Sequence, residues 1–249
     1  MDLTWLQRTE VLFGAEKIEK LAKSNVLVVG LGGVGSFAAE YIARAGVGAM
    51  AIVDGDTVEF TNRNRQLPAL INTEGQYKAE IMADRIRNIN KDINLEVINA
   101  YMTEEKLQQL FESRKFDYVV DAIDTVSPKM SLIKHSLHRG IPLISSMGAG
   151  GKVDPMAIKI ALIDSTYNCF LAQQVRKNMK KWGIRGTFKA VFSSELQVKA
   201  RVQMVEGNKH KRSYYGTVSY MPSLFGAYAA SVVIRDLVGE KYSLYKHHI

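Results

Sequence analysis

Four glycines stand together in the stretch GLGGVG, and three of them, Gly30, Gly32 and Gly35, match the spacing G-x-G-x-x-G. Glycines at this spacing let a turn tighten and let backbone N–H groups approach a phosphate at a helix N-terminus. Gly33 completes the cluster. Asp54 lies nineteen residues beyond Gly35 (54 − 35), where a carboxylate can accept hydrogen bonds from ribose hydroxyls. Up to this point NAD, FAD and ATP fit equally well. The loop TNRNRQLP changes the balance, because Arg63 and Arg65 follow soon after the ribose acid and Lys78 comes next in GQYK. A dinucleotide pyrophosphate is usually met by backbone donors. A triphosphate calls for cationic side chains and a metal. Arginine can grip phosphate oxygens in a fork, and lysine acts as a point charge. Asp124 closes the stretch VVDAID and is a hard oxygen ligand suited to Mg²⁺ beside phosphates. Each residue also has a plainer reading. Arg63 fits a solvent-facing loop arginine, Lys78 a surface helix lysine, and Asp121 and Asp124 fit capping groups.

These groups need elements to hold them. NVLVVG is a short continuous apolar run that predicts a strand buried on both faces. GVGSFAAEYIARAGV then predicts a helix and AMAIVD a second buried strand, which makes a βαβ unit. GQYKAEIMADRIRNIN and TEEKLQQLFES predict helices, the latter with Thr103 as N-cap and Lys106 in its first turn. NLEVINA, FDYVVDAID and IPLISSMGAG predict strands, and SPKMSLIKHSLHRG a helix closed by Gly140. Strands alternating with helices predict an α/β fold, a doubly wound Rossmann-like and mostly parallel sheet. Residues 1–24 have helical spacing. After about residue 155 the pattern changes to two strands, AIKIALID and KAVFSSE, around a basic helix, LAQQVRKNMKKWG. Residues 197–213 read as a polar loop, and PSLFGAYAASVVIRDLVG as a last helix with Pro222 in its first turn. No linker composition divides the chain, so residues 1–249 are expected to form a single domain. Its nucleotide-binding core is 1–165, and 166–249 is an elaborated C-terminal portion.

Composition narrows the classes. The chain has 249 residues, 47% hydrophobic, with one cysteine, Cys169, so neither an internal disulfide nor a CxxC zinc site can form. The first residues lack the pattern of a secretory signal. No membrane span is expected, since the nearest apolar run is broken by Arg235 and Asp236. Together these features predict a cytoplasmic protein. The net charge of +8 is uneven. Residues 1–172 carry 19 basic and 21 acidic groups, a balance of −2; residues 173–213 carry 11 and 2, a balance of +9; the remainder adds +1. A block this local is a footprint for a polyanion, or else a solvated helix face. Cys169 reads as an apolar filler rather than a nucleophile. His135 and His138, three apart on one helix, have metal-compatible spacing but read as a polar face.

GLGGVGSFAAEYIARAGVG, IVDGDTVEFTNRNRQ, GQYK, DAID and the early LQRTEVLFG together resemble the ThiF-type, ubiquitin-activating (E1-like) adenylating superfamily. The resemblance covers about residues 1–165. It implies ATP and Mg²⁺ as cofactors, with Asp54 on the ribose, Arg65 and Lys78 on the phosphates and Asp124 at the Mg²⁺. Asn62 and Gln66 would help to shape the phosphate loop, and Arg8 would reach into the partner's site of a homodimer. Sulfur-carrier activators in this superfamily usually carry paired CxxC ligands, which this chain cannot supply. The C-terminal half, with its basic helix, AVFSSE and the last helix, instead resembles the tRNA threonylcarbamoyladenosine dehydratase group. That group adenylates the carboxylate of a modified adenosine next to the anticodon and then closes a ring. The expected partner is therefore tRNA, with 166–249 as its binding portion. An activator of a ubiquitin-like or sulfur-carrier protein remains the alternative, and the superfamily also opens the prospect of a sulfur-transfer partner protein. An NAD-dependent oxidoreductase or a non-catalytic RNA-binding module would leave Arg65, Lys78 and Asp124 without a shared purpose.

Overall fold

The computed structural model describes residues 2–196, 202–204 and 213–246. The chain opens with a 3-10 turn at Thr4–Leu6, then α1 (Gln7–Phe13) and α2 (Ala15–Ala22). The helical stretch expected over 1–24 is thus interrupted. Gly14 adopts φ 88°, and its N–H donates back to Glu10 to close α1. There follow β1 (Asn25–Val29), α3 (Gly35–Arg44), β2 (Ala49–Val53), α4 (Lys78–Ile89), β3 (Asn94–Ile98), α5 (Glu104–Ser113) and β4 (Tyr118–Asp121). The chain continues with α6 (Val126–His138), β5 (Leu143–Ser146), β6 (Ile158–Leu162), α7 (Phe170–Lys181), β7 (Lys189–Ser193), β8 (Val202–Met204), β9 (Ser213–Tyr215) and α8 (Tyr220–Val238). Thr103 caps α5 as its sequence predicts, its hydroxyl accepting from the Lys106 N–H.

Seven strands form one sheet in the order β3-β2-β1-β4-β5-β7-β6. All pairs are parallel except β6 with β7, which is antiparallel. β4 and β5 are buried along their whole length, as a strand covered by helices on both faces must be. One core, under α3, α4 and α8, contains Val26, Val28, Ile42, Met82 and Phe225. The other, under α5, α6 and α7, contains Leu27, Val29, Phe111, Ile133 and Val175. Strand order runs outward from β1 toward β2 on one side and from β4 toward β5 on the other. The switch point, where such sheets open a crevice at their carboxyl edge, is therefore between β1 and β4. β8 lies within the stretch 197–213 expected to be a polar loop and pairs antiparallel with β9, which begins at its end. A backbone ladder needs no apolar sequence, so the polar composition concealed it. The other residues of that stretch lie outside the described ones.

α8 is long and apolar enough by composition to cross a membrane, yet much of it is buried against the rest of the protein. It packs on α3 so closely that a β-carbon at Gly226 would overlap the Val34 carbonyl oxygen and lie 2.9 Å from Phe37 Cβ. Gly226→Ala tests this contact. Alanine gains about 1 kcal/mol in helix propensity, but overpacking a dense interface costs about 1–3 kcal/mol. A carbonyl cannot rotate away as a side chain can, so the cost should win. The variant is expected to melt several degrees lower, and an unchanged or higher Tm would show that the interface yields.

Candidate active site

The turn after β1 and the turn after β4 touch at the switch point. Gly30, at φ 91°, has no room for a side chain: a β-carbon there would lie 2.7 Å from the Ala122 carbonyl oxygen. At Gly35 it would overlap the Gly30 carbonyl. The turn is thereby drawn flat over the sheet edge. Among the described residues the N–H groups of Gly32, Gly33 and Val34 have no acceptor, while Ser36 N–H donates to the Gly32 carbonyl. Free donors at the N-terminus of a ten-residue helix form a place for an anion.

Asp54 ties this turn to the end of β2. Its Oδ2 accepts from Leu31 N–H at 2.6 Å and its Oδ1 from Asp56 N–H at 2.8 Å. Burial pushes its carboxyl above the ordinary 3.8, against the pull of Lys78 and both N–H bonds. Lys78, read from sequence as a surface or a ligand-holding lysine, is only 4% exposed and makes an ion pair with Asp56 at 2.8 Å. Asp56 also accepts from the Tyr101 hydroxyl at 2.6 Å, which pushes that phenol up to about 12. Asp56 and Tyr101 were not legible as site residues. The signal available was the second acid of the pattern DGD, two residues past Asp54.

The loop between β2 and α4 folds back onto the glycine turn. Its 3-10 turn, Phe60–Asn64, is closed by a capping box in which buried Asn62 and Glu59 bond each other's backbone. Arg65 lies against Gly33: a β-carbon there would be 3.2 Å from the Arg65 carbonyl oxygen and 3.5 Å from its Cγ. The Arg65 guanidinium donates to Asn64 Oδ1 at 2.8 Å. Burial lowers its pKa, opposed by the carboxylates of Asp124 and Glu59. Gln66 lies beside Gly32, and its Oε1 is buried without a hydrogen-bond partner among the described residues. Arg63 points to solvent over the Phe60 ring. Arg8 is exposed on α1 and makes no contact with these groups within one chain.

Asp124 is exposed at the turn leading into α6. The described residues hold no cluster of three metal-ligating side chains. One carboxylate beside a phosphate site fits Mg²⁺, which keeps most of its shell for water and phosphate oxygens. Beneath Asp124 lies a pair that sequence reading missed. Asp121, at the end of β4, is fully buried and accepts from Lys129 Nζ at 2.7 Å and Ser145 Oγ at 2.5 Å. Lys129 also donates to the Ser146 carbonyl at 3.0 Å, and the other Asp121 oxygen accepts from Ile123 N–H at 3.1 Å. Asp121 is therefore no helix cap but the floor of the turn that carries Asp124. Cys169 is buried among apolar residues, and His135 stacks on Phe111. A surface groove of about 680 Å³ between β6, α8 and the C-terminal segment contains none of the site residues.

Two predictions follow from this geometry. Lys129→Met would strand a buried carboxylate and should cost about 3–5 kcal/mol in denaturant unfolding, with Lys129→Met/Asp121→Asn recovering part of it. A loss under about 1 kcal/mol would mean the pair is not coupled to folding. For Asp54 the folded pKa is raised, so its contribution to stability is present below 3.8 and is lost as pH rises through the folded value. Wild type measured against Asp54→Asn should lose relative stability over that window. A difference independent of pH would refute the assignment.

The ThiF family model matches residues 6–248. The tRNA threonylcarbamoyladenosine dehydratase of Bacillus subtilis (strain 168) is 41% identical over 238 residues, covering 93% of each chain. The crystal structure of Escherichia coli tRNA N6-threonylcarbamoyladenosine dehydratase in complex with ATP superposes with a TM-score of 0.85 at 33% identity, over 96% of this chain and 95% of that one. The molybdopterin-synthase adenylyltransferase of Haemophilus influenzae is 40% identical over 127 residues, only 51% of each chain.

Proposed function

The chain belongs to the ThiF family, and on that premise we propose that it is an ATP-dependent tRNA threonylcarbamoyladenosine dehydratase. The observation in the site that carries it is the packing of Arg65 on Gly33, with the Asp124 carboxylate acting on its guanidinium, which supports a triphosphate rather than a dinucleotide at this turn. The choice of substrate is supported by relatives of that name matching over nine-tenths of the chain, against half for the carrier-activating relative.

Asp54 keeps one free lone pair on each oxygen and takes the ribose hydroxyls. The free N–H groups of Gly32, Gly33 and Val34 take phosphate oxygens, as does the Arg65 fork. Gly30 and Gly35 give the turn its shape, and Asn62 and Gln66 hold the loop that presents Arg65. Lys78 exchanges part of its Asp56 contact for phosphate. Asp124 is the carboxylate that would hold Mg²⁺, which when bound offsets triphosphate charge. The substrate carboxylate attacks the α-phosphorus and pyrophosphate leaves, its charge met by the Arg65 guanidinium and the free N–H groups of the glycine turn. The carbamoyl group of the same nucleotide then attacks the acyl-adenylate, giving up an N–H proton to solvent as AMP leaves and the ring closes. The water lost from the adenosine is accounted for by the oxygen retained in AMP. Both reacting groups sit on one nucleotide, so high effective molarity replaces a protein nucleophile, in keeping with a buried Cys169.

A homodimer completes this reading. Arg8, Val11 and Leu12 share one face of α1, with Val11 90% and Leu12 73% exposed. A second copy would cover that apolar face and receive Arg8 in its own site. No feature of the described residues speaks for a sulfur-transfer partner. A tRNA substrate supports the reading of a cytoplasmic enzyme.

Mass spectrometry of the anticodon-adjacent adenosine, after incubating tRNA with protein and ATP, should show loss of one water. Pyrophosphate exchange stimulated by a carrier protein and not by tRNA would instead support the carrier-activator reading. Arg65→Ala or Asp124→Ala should each lower kcat by at least about a hundredfold with tRNA binding retained. Equal loss of both in folded protein would reverse the roles. Mixing Arg8→Ala with Asp124→Ala protein should restore part of the activity lost by each alone.

A further inference from the structure

Between Ser165 and Ser194 the chain contains no acidic residue but six basic ones: Arg176, Lys177, Lys180, Lys181, Arg185 and Lys189. Two of these are used internally. Lys189 bonds Asp236 and Tyr242, and Arg176 bonds the Ile163 carbonyl and the Thr166 hydroxyl. The other four are exposed and have no anionic partner among the described residues. Other helices of this protein place an acid one turn away, as in Arg44 with Glu40, Lys23 with Glu19 and Arg87 with Asp84. On α7 no acidic side chain among the described residues offsets the charge. Lys180 and Lys181 sit in its last turn, where the helix dipole rewards a cation by about 0.3–1 kcal/mol. That accounts for two of the four. It does not account for Lys177, one turn earlier, for Arg185 beyond the helix, or for Trp182, 44% exposed in their midst.

The start of α7 is locked to the carboxyl edge of the sheet. A β-carbon at Gly148, two residues past β5, would lie 4.0 Å from Cys169 Sγ. Asn168 adopts φ 53° and donates its side-chain amide to the Ser194 carbonyl at 2.8 Å. Lys152, almost fully buried, donates to the carbonyls of Asn168 and Glu195. The Glu195 carboxylate accepts from Val153 N–H at 3.0 Å and Asp154 N–H at 2.9 Å. The two loops that follow β5 and β7 are thus stapled to the start of α7. β5 is the neighbour of β4, so this edge adjoins the Asp121–Asp124 turn. From there the twelve residues of α7 run about 18 Å down the flank of the sheet.

We infer that the outer face of α7, with Trp182 and Arg185, is the rail on which the anticodon arm of the tRNA lies, Lys177, Lys180, Lys181 and Arg185 meeting its phosphates and Trp182 stacking on a base or ribose. This rests on the tRNA reading above. Phosphate contacts carry no sequence information but set register. A rail fixed to the site at one end holds the modified adenosine at the triphosphate without touching the chemistry.

The test uses the full chain and tRNA bearing threonylcarbamoyladenosine. Lys177→Glu/Lys180→Glu/Lys181→Glu should raise the KM for tRNA by at least about tenfold and flatten the slope of log affinity against log salt by about three. Its kcat at saturating tRNA, its ATP affinity and its Tm should stay at wild-type values. Single Lys→Gln variants should each flatten the slope by about one, which preserves the test if the triple variant folds poorly. Trp182→Ala should weaken tRNA binding roughly tenfold with an unchanged salt slope. A control reversal at Lys20 and Lys23 on α2 should change none of these. The inference is overturned if the α7 variants keep the wild-type KM and salt slope, or if the control loses as much. Absence of dehydrated adenosine with wild-type protein overturns the functional reading itself, whatever the variants do.

Discussion

The whole site depends on one close approach, that of the Gly30 backbone to the Ala122 carbonyl at the switch point of the sheet. Only a residue without a side chain can make it. Because it is made, the turn after β1 lies flat against the turn after β4, and three strand ends share one edge. Asp54 then reaches the Leu31 N–H from β2, and the Asp124 turn sits beside the helix N-terminus that holds the free donors. Any outward shift of the glycine turn would separate Asp54, the free N–H donors and Asp124 at the same time.

Around that contact the protein places charge in pairs. Lys78 rests on Asp56, and Lys129 on Asp121. The two pairs have different work because their surroundings differ. Asp56 is half exposed, so water can solvate its carboxylate if Lys78 is drawn to an anion, as the proposed function requires. Asp121 and Lys129 have no access to water, so neither can leave the other without a large desolvation penalty. Buried pairs of that kind add little net stability, but they hold geometry. Here they keep the turn below Asp124 in one conformation. Arg65 is intermediate: partly buried, weakly offset by Asp124 and Glu59, and ready for an anion with more charge than either.

The reaction asks for no nucleophile from the protein, and the structure keeps its one thiol in an apolar core. What it does ask for is that a large polyanion present one modified nucleotide at the triphosphate. An uncompensated cationic helix fixed by Lys152 and Asn168 to the edge of the site suits that task.

Much of this was legible in the chain itself. Continuous apolar runs, a glycine turn between strand and helix, and an acid at the end of the second strand are local patterns, each set by sterics or solvation within a few residues. They determined a mostly parallel sheet and a nucleotide turn, and Arg65 stood close enough in sequence to be assigned to the same place. Helix ends were legible for the same reason, as at Thr103, while the break at Gly14 and the β8–β9 ladder were hidden in a helical pattern and a polar one. Tertiary structure alone decided which charges meet. Asp121 with Lys129, Lys152 with the carbonyls of Asn168 and Glu195, and Tyr101 with Asp56 join residues whose sequence neighbours say nothing of burial. A charged side chain looks the same in sequence whether water or a partner surrounds it, and only the packed chain determines which one it has.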